Sequence, residues 1–125
     1  VLPAPAEMGW DNVVYEVHPY GVGETDSACE EYRRYSQQYN VPIYVGEYSD
    51  MNMLESCRKY EIHHTSWTYK GSKYMEETWF MYYPDRLLYA DVYNDPYWLI
   101  KIKWGNCLST QHFIENENIL KYWSE

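Results

Sequence analysis

The sequence predicts an α/β protein in which parallel strands alternate with helices. Three runs rich in β-branched and aromatic residues begin at about residues 12, 42 and 62, and amphipathic segments separate them. Strands that follow one another through helices pair in parallel, joined by right-handed crossovers. The second run, P-I-Y-V-G-E-Y-S at residues 42–49, is a nearly unbroken apolar stretch, as expected for a parallel strand buried on both faces.

The first predicted strand covers residues 12–20. Residues 1–10 contain two prolines and little pattern, which is typical of a loop or linker. The sequence N-V-V-Y-E-V-H-P-Y that follows favours extended structure, and Pro19 and Gly21 end it.

A long helix is predicted next. Thr25, Asp26 and Ser27 offer N-cap oxygens, and Glu30 stands three residues after Ser27, the spacing of a capping box. Asn40 is expected to end the helix. Its apolar face recurs at helical spacing and consists of Ala28, Tyr32, Tyr35 and Tyr39.

The second half of the chain contains a capped helix, a third strand and a less regular remainder. Asp50 is placed to cap a short helix, and the third strand covers residues 62–69. Residues 71–93 are predicted to be irregular, and the tail from Ser109 forms at most one more helix. The inward residues of the capped helix are Met53, Leu54, Cys57 and Tyr60. A further helix starts at Pro96, ends at Gly105 and has Tyr97, Ile100 and Trp104 on its apolar side.

Composition narrows the function classes. A chain of 125 residues fits one domain, and its net charge of -9 disfavours nucleic acid and an anionic membrane surface as partners. No run reaches the roughly 20 apolar residues that a membrane span needs.

The beginning of the sequence has neither the basic region of a signal peptide nor an initiator Met, which suggests that further chain precedes it. The 16 tyrosines and 6 tryptophans suit a packed core, and they also suit a sugar-binding cleft.

The three cysteines match no zinc-site spacing. One disulfide with a free thiol and three buried thiols are both compatible with the positions Cys29, Cys57 and Cys107. No cofactor is indicated.

Candidate site residues stand at the carboxyl ends of the predicted strands, where parallel α/β folds bind ligands. Glu47 ends the second strand. His18 and Tyr20 end the first strand, and Trp67, Tyr69 and Lys70 close the third.

These segments carry a family resemblance. V-H-P-Y, P-I-Y-V-G-E-Y-S and S-W-T-Y-K-G, in that order, resemble the last three strands of glycoside hydrolase family 5, over roughly residues 11–118. The resemblance implies a partial (β/α)8 TIM barrel containing strands six to eight. It also implies a retaining mechanism in which Glu47 is the nucleophile, with His18 and Tyr20 as the His-x-Tyr of strand six and Trp67 at a sugar subsite.

Each matched residue has an expected role. Tyr20 donates a hydrogen bond that holds Glu47 in line, and His18 binds a sugar hydroxyl or orients the pocket. Trp67 supplies a stacking floor, and Tyr69 and Lys70 reach the rim.

One departure from the family pattern limits the expected activity. Retaining hydrolysis needs two carboxyls about 5–5.5 Å apart, and the family's Asn-Glu pair on strand four has no counterpart at a strand end here. The fragment is therefore expected to be inactive alone, because the general acid/base is missing, and to need the missing N-terminal half of the barrel as a partner. The implied substrate is a β-glucan or β-glucoside, and the implied localisation is extracellular.

Other interpretations remain open. Glu47 is alternatively a structural carboxylate paired with Lys70 or Arg58, and Trp67 is alternatively part of the core. The chain as a whole is alternatively a non-catalytic carbohydrate-binding remnant or a structural domain without a sugar role.

Neighbouring features of the sequence receive no function. His63 and His64 point to opposite faces of a strand, so they do not chelate one metal. The Gly21–Gly23 turn lacks the third glycine of a dinucleotide loop. Glu16 and Glu24 are the nearest spare carboxyls, and neither is assigned a catalytic role.

Overall fold

The chain divides into two compact units, residues 1–67 and residues 68–125. Each unit is described by itself. The computed structural model describes residues 2–71, 79–84, 90–109, 111 and 113–123, and of residues 106–108 the backbone alone.

The first unit is built around a parallel sheet of three short strands. These are β1 (Tyr15–Val17), β2 (Ile43–Val45) and β3 (His63–His64), in the spatial order β1-β2-β3. Tyr15 pairs with Ile43 and Val45 with His64. The three predicted strands and their parallel pairing are confirmed. Each is shorter than predicted, and β1 is shorter at both ends.

Two helices cover one face of this sheet. Helix α2 (Thr25–Tyr39) and helix α3 (Met51–Lys59) follow β1 and β2, and a one-turn helix α1 (Pro5–Met8) lies in the segment predicted to be a loop. Asp50 caps α3 as predicted, since its Oδ1 accepts the Met53 N–H at 2.8 Å. Asn40 ends α2 in the left-handed conformation, with φ of 51°.

The predicted capping box at the start of α2 is wrong. The helix begins at Thr25, its N-cap is Glu24, and no side chain caps it. Ser27 therefore lies inside the first turn. The side chains of Thr25 and Asp26 instead bind Ser56 of α3, at 2.9 and 2.6 Å. A contact between helices has replaced the local cap.

The core lies between the sheet and the helices. Tyr15, Val41 and Ile43 are buried, and the predicted tyrosine face of α2 packs against them through Tyr32, Tyr35 and Tyr39. A second group of residues is fully buried and includes three of the four predicted inward residues of α3. The fourth, Tyr60, is half-buried and donates its hydroxyl hydrogen to Glu30. This group consists of Cys29, Val45, Tyr48, Met53, Leu54 and Cys57.

The other face of the sheet is open within this unit. Glu16 and His63 are exposed, and Tyr44 between them is half-buried. The prediction that the second strand is buried on both faces is therefore wrong for the unit itself, because its burial alternates along the strand. Tyr44 uses its hydroxyl to bind Thr65 Oγ1 at 2.7 Å.

The second unit contains a small antiparallel pair and one long helix. Strands β4 (Tyr82–Tyr83) and β5 (Ile114–Glu115) pair with each other. Helix α4 (Tyr97–Leu108) follows Pro96, and α5 (Glu117–Leu120) is the short helix of the tail. Of the segment predicted to be irregular, residues 72–78 and 85–89 lie outside the described residues, as does the side chain of Cys107.

Two predictions for helix α4 are wrong. Gly105 does not end the helix, which continues to Leu108. Its predicted apolar side is not buried, since Tyr97 is 79% and Trp104 is 48% exposed. Lys103 anchors the start of the helix instead, through an ion pair with Asp95 at 2.5 Å. None of the helices in the described part of the chain has the length and apolar character needed to cross a membrane.

An ion pair links the two helices of the first unit. The Asp26 carboxylate accepts hydrogen bonds from Lys59 Nζ and, at 2.6 Å, from Ser56 Oγ. These two bonds lower the pKa of Asp26, and the bond to Asp26 raises the pKa of Lys59.

We expect this pair to stabilise the unit over a bounded pH range. The contribution of Asp26 is complete above its unfolded-state pKa of about 3.9 and is lost as pH falls through the lower folded-state pKa. The contribution of Lys59 is complete below about pH 10.4 and is lost as pH rises through the higher folded-state pKa. Urea unfolding of the protein and of Asp26→Asn measures this dependence. The difference should be largest near neutral pH and shrink towards both extremes, and a constant difference would contradict it.

Candidate active site

The predicted site residues of the first two strands meet at one edge of the sheet. Strands β1 and β2 are parallel neighbours, so the segments that follow Val17 and Val45 leave the sheet side by side. His18 and Tyr20 follow β1, and Glu47 follows β2. The Gly46 N–H binds the Val17 carbonyl at 3.0 Å, which continues the pairing of the two chains up to the residue before Glu47.

Tyr20 and Glu47 form the hydrogen bond expected from the sequence. The Tyr20 hydroxyl donates to Glu47 Oε2 at 3.0 Å. Desolvation, then the bond to Glu47 and the charge of that carboxylate, raises the pKa of Tyr20. The phenol therefore keeps its proton and remains a hydrogen-bond donor to the carboxylate at neutral pH.

His18 lies between two carboxylates. Its Nδ1 is 3.6 Å from Glu47 Oε2, and its Nε2 is 3.1 Å from Glu16 Oε1. The Glu47 side chain is 29% exposed, whereas those of His18 and Glu16 are 44% and 56% exposed. Glu47 is thus the least accessible member of the cluster, yet it remains open to a ligand.

The two neighbours of Glu47 approach the same oxygen atom. Tyr20 and His18 both lie against Oε2. Within the described part of the chain, Oε1 of Glu47 has no hydrogen-bond partner. A carboxylate held by one oxygen and open at the other can present the second oxygen to an electrophilic carbon.

Glu16 was not predicted from the sequence as part of this cluster. It stands two residues before His18, and side chains two apart along an extended segment share a face. That spacing was the available signal. It was not decisive, because the spacing says nothing about how closely the two side chains approach.

Trp67 follows the third strand and is half-exposed. Its backbone N–H donates to the Tyr48 carbonyl at 2.8 Å, so the Trp67 backbone lies beside the residue that follows Glu47. The side chain is 53% exposed. The interpretation of Trp67 as a core residue is therefore wrong, since a core indole would be covered.

Tyr69 and Lys70 belong to the second unit, and each has a contact within it. The Tyr69 ring lies 4.8 Å from the Tyr82 ring, centroid to centroid. Lys70 Nζ donates to the Ser109 carbonyl. Within the first unit, Glu47 contacts Tyr20 and His18 rather than Arg58. The alternative pairing of Glu47 with Lys70, a residue of the second unit, stays a prediction.

The two adjacent histidines of β3 diverge as predicted. His63 is exposed, and His64 Nδ1 lies 2.9 Å from the buried Tyr48 hydroxyl. Burial lowers the pKa of His64, and Arg58 and His63 add to the effect. Among the described residues, no group of three or more His, Cys, Asp or Glu side chains is arranged to hold a metal ion.

An open groove of about 420 Å³ lies at the opposite edge of the same sheet. It is lined by segments that precede β2 and β3, among them Asn40–Ile43 and Tyr60–His63. None of the residues around Glu47 lines it. Because ligands of parallel α/β sheets bind at the carboxyl ends of the strands, we assign the groove no function.

Comparison of the chain with models of known families, with curated proteins and with solved structures finds no significant match.

Proposed function

We propose that the chain is the nucleophile-bearing part of a retaining β-glycosidase of the (β/α)8 class, with Glu47 as the nucleophile. The observation that supports this proposal best is the state of the Glu47 carboxylate. It stands at the carboxyl edge of a parallel sheet, its Oε2 accepts the Tyr20 hydroxyl at 3.0 Å, and its Oε1 has no partner within the described residues.

The chemistry follows from that geometry. Oε1 of Glu47 attacks the anomeric carbon of a β-glycoside, and a new ester bond forms as the glycosidic bond breaks. Tyr20 holds Oε2 during the attack. Water then hydrolyses the ester and restores the carboxylate.

Departure of an ordinary sugar leaving group also requires a proton from a second carboxyl about 5–5.5 Å away. We assign that general acid/base to a separate N-terminal half of the barrel rather than to Glu16 or Glu24. The substrate class is a β-glucan or β-glucoside, with Trp67 as a stacking surface for a sugar ring. The resemblance to glycoside hydrolase family 5 implies that the enzyme acts outside the cell.

The test uses a substrate whose leaving group needs no proton. 2,4-Dinitrophenyl 2-deoxy-2-fluoro-β-glucoside loses dinitrophenolate unassisted, and its fluorine slows hydrolysis of the glycosyl ester, so a nucleophile is trapped. We expect one equivalent of dinitrophenolate per chain and a fluoroglucosyl group on the peptide that contains Glu47. A chain that keeps its fold by circular dichroism but is not labelled, or is labelled elsewhere, would contradict the proposal.

The second candidate function is carbohydrate binding without turnover, which the half-exposed indole of Trp67 favours. A β-glucan oligosaccharide would then change the tryptophan fluorescence of the chain, and Trp67→Ala would abolish the change. Trp98→Ala is the matched control, because Trp98 is 62% exposed and lies in the second unit. Fluorescence change without labelling of Glu47 would favour this candidate.

A further inference from the structure

Glu16 contacts the ring nitrogen of His18 that faces away from Glu47. Glu16 Oε1 lies 3.1 Å from His18 Nε2, while His18 Nδ1 lies 3.6 Å from Glu47 Oε2. One imidazole ring therefore spans two carboxylates. We infer that Glu16 is a positioning residue, which binds Nε2 of His18 and thereby aims Nδ1 at the Glu47 carboxylate.

The place occupied by the Glu16 carboxylate exists because residue 46 has no side chain. A Cβ atom built on Gly46 would lie 1.8 Å from Glu16 Oε1 and 2.6 Å from its Cδ. The glycine is not required by a left-handed backbone, since Gly46 is not among the positive-φ residues of the described chain. Its function is to let a carboxylate rest against the backbone immediately before Glu47.

The hydrogen-bonding capacity of Glu16 and His18 fixes the direction of their contact. An ionised carboxylate only accepts hydrogen bonds, so Nε2 of His18 is the donor to Glu16 at 3.1 Å. Nδ1 of the same ring faces Glu47 Oε2 at 3.6 Å, which is longer than a hydrogen bond. The contact with Glu16 is therefore the stronger constraint on the orientation of the ring.

The effect on reactivity rests on the proposed function. His18 and Tyr20 together hold Oε2 of Glu47 and leave Oε1 to attack. Among the described residues, Glu16 contacts His18 and not Glu47, so it acts through His18 as an outer partner that fixes a ring orientation. Removing the outer partner of a metal-binding histidine costs about 10–100-fold in metal affinity or activity, and we take that scale for the effect of Glu16 on His18.

The experiment compares Glu16→Ala, Glu16→Gln and Gly46→Ala with the control Glu55→Gln, which alters an exposed carboxylate on α3. One readout is the ¹⁵N spectrum of histidine-labelled protein, which shows which ring nitrogens carry hydrogen. The other is the rate at which the dinitrophenyl fluoroglucoside labels Glu47. Glu16 is 56% exposed, so its substitutions should leave the fold intact.

We expect Glu16→Ala to shift the Nε2 signal of His18 and to slow labelling about 10–100-fold. Gly46→Ala should shift the same signal, because its methyl group displaces the Glu16 carboxylate. Glu16→Gln keeps an oxygen acceptor, so it should restore most of the labelling rate, and Glu55→Gln should change neither readout. If the fluoroglucoside does not label the unmodified chain, the proposed function is wrong. The ¹⁵N spectrum of His18 then still tests whether Glu16 positions the ring. An unchanged His18 signal in Glu16→Ala, or unchanged labelling where the parent labels, would overturn it.

Discussion

Replacing Glu47 by glutamine is expected to remove the reaction with the dinitrophenyl glycoside while leaving the fold intact. An amide oxygen is a poor nucleophile, so release of dinitrophenolate should fall by a factor on the order of 10⁴–10⁶, the scale of losses on removing catalytic nucleophiles. The glutamine keeps the shape of the side chain and an oxygen that accepts the Tyr20 hydroxyl, which is bound at 3.0 Å in the parent. Stopped-flow absorbance of the released phenolate measures the rate.

The matched control for this substitution is Glu55→Gln. Glu55 is exposed on α3, so the same change of charge there should alter neither the rate nor the thermal midpoint. A rate for Glu47→Gln within threefold of the parent rate would show that another group attacks the sugar. A threefold change in rate corresponds to roughly 0.6 kcal/mol in activation free energy.

Leu54→Ala should have the largest effect on stability. Leu54 lies on α3 and is fully buried, with a relative exposure of 0%. Truncation removes apolar contacts and leaves a cavity, so the free energy of unfolding should fall by about 2–5 kcal/mol. Urea unfolding followed by far-ultraviolet circular dichroism gives the value.

Val14→Ala is the matched control for the core substitution. Val14 is 57% exposed and belongs to the same unit, and exposed positions of this kind usually change stability by less than about 0.5 kcal/mol. Equal effects of the two substitutions would mean that the interior around Leu54 is not close-packed.

Sequence reasoning succeeded where the interactions are local or follow from strand order. The cap of α3 depends on Asp50 and a backbone N–H three residues away, so the local sequence determines it. The meeting of Tyr20 with Glu47 spans 27 residues, yet it follows from the parallel pairing of two strands whose ends are adjacent.

The errors arose where tertiary contacts compete with local signals. Ser27 and Glu30 have the spacing of a capping box, but Thr25 and Asp26 gain partners on α3 when the helix starts earlier. Gly105 resembles a helix end, although the backbone hydrogen bonds of α4 continue past it. The approach of Glu16 to His18 depends on the space above Gly46, which no linear spacing encodes.

The contact between Glu16 and Gly46 also constrains how the sequence can vary. A Cβ at position 46 would lie 1.8 Å from the Glu16 carboxylate, so a larger residue there would displace the end of that exposed side chain. Alanine at position 46 fits better beside a short residue at position 16 than beside glutamate. Among homologous sequences, we expect glycine at position 46 to occur together with a long acidic residue at position 16. A larger residue at position 46 should occur together with a small residue at position 16.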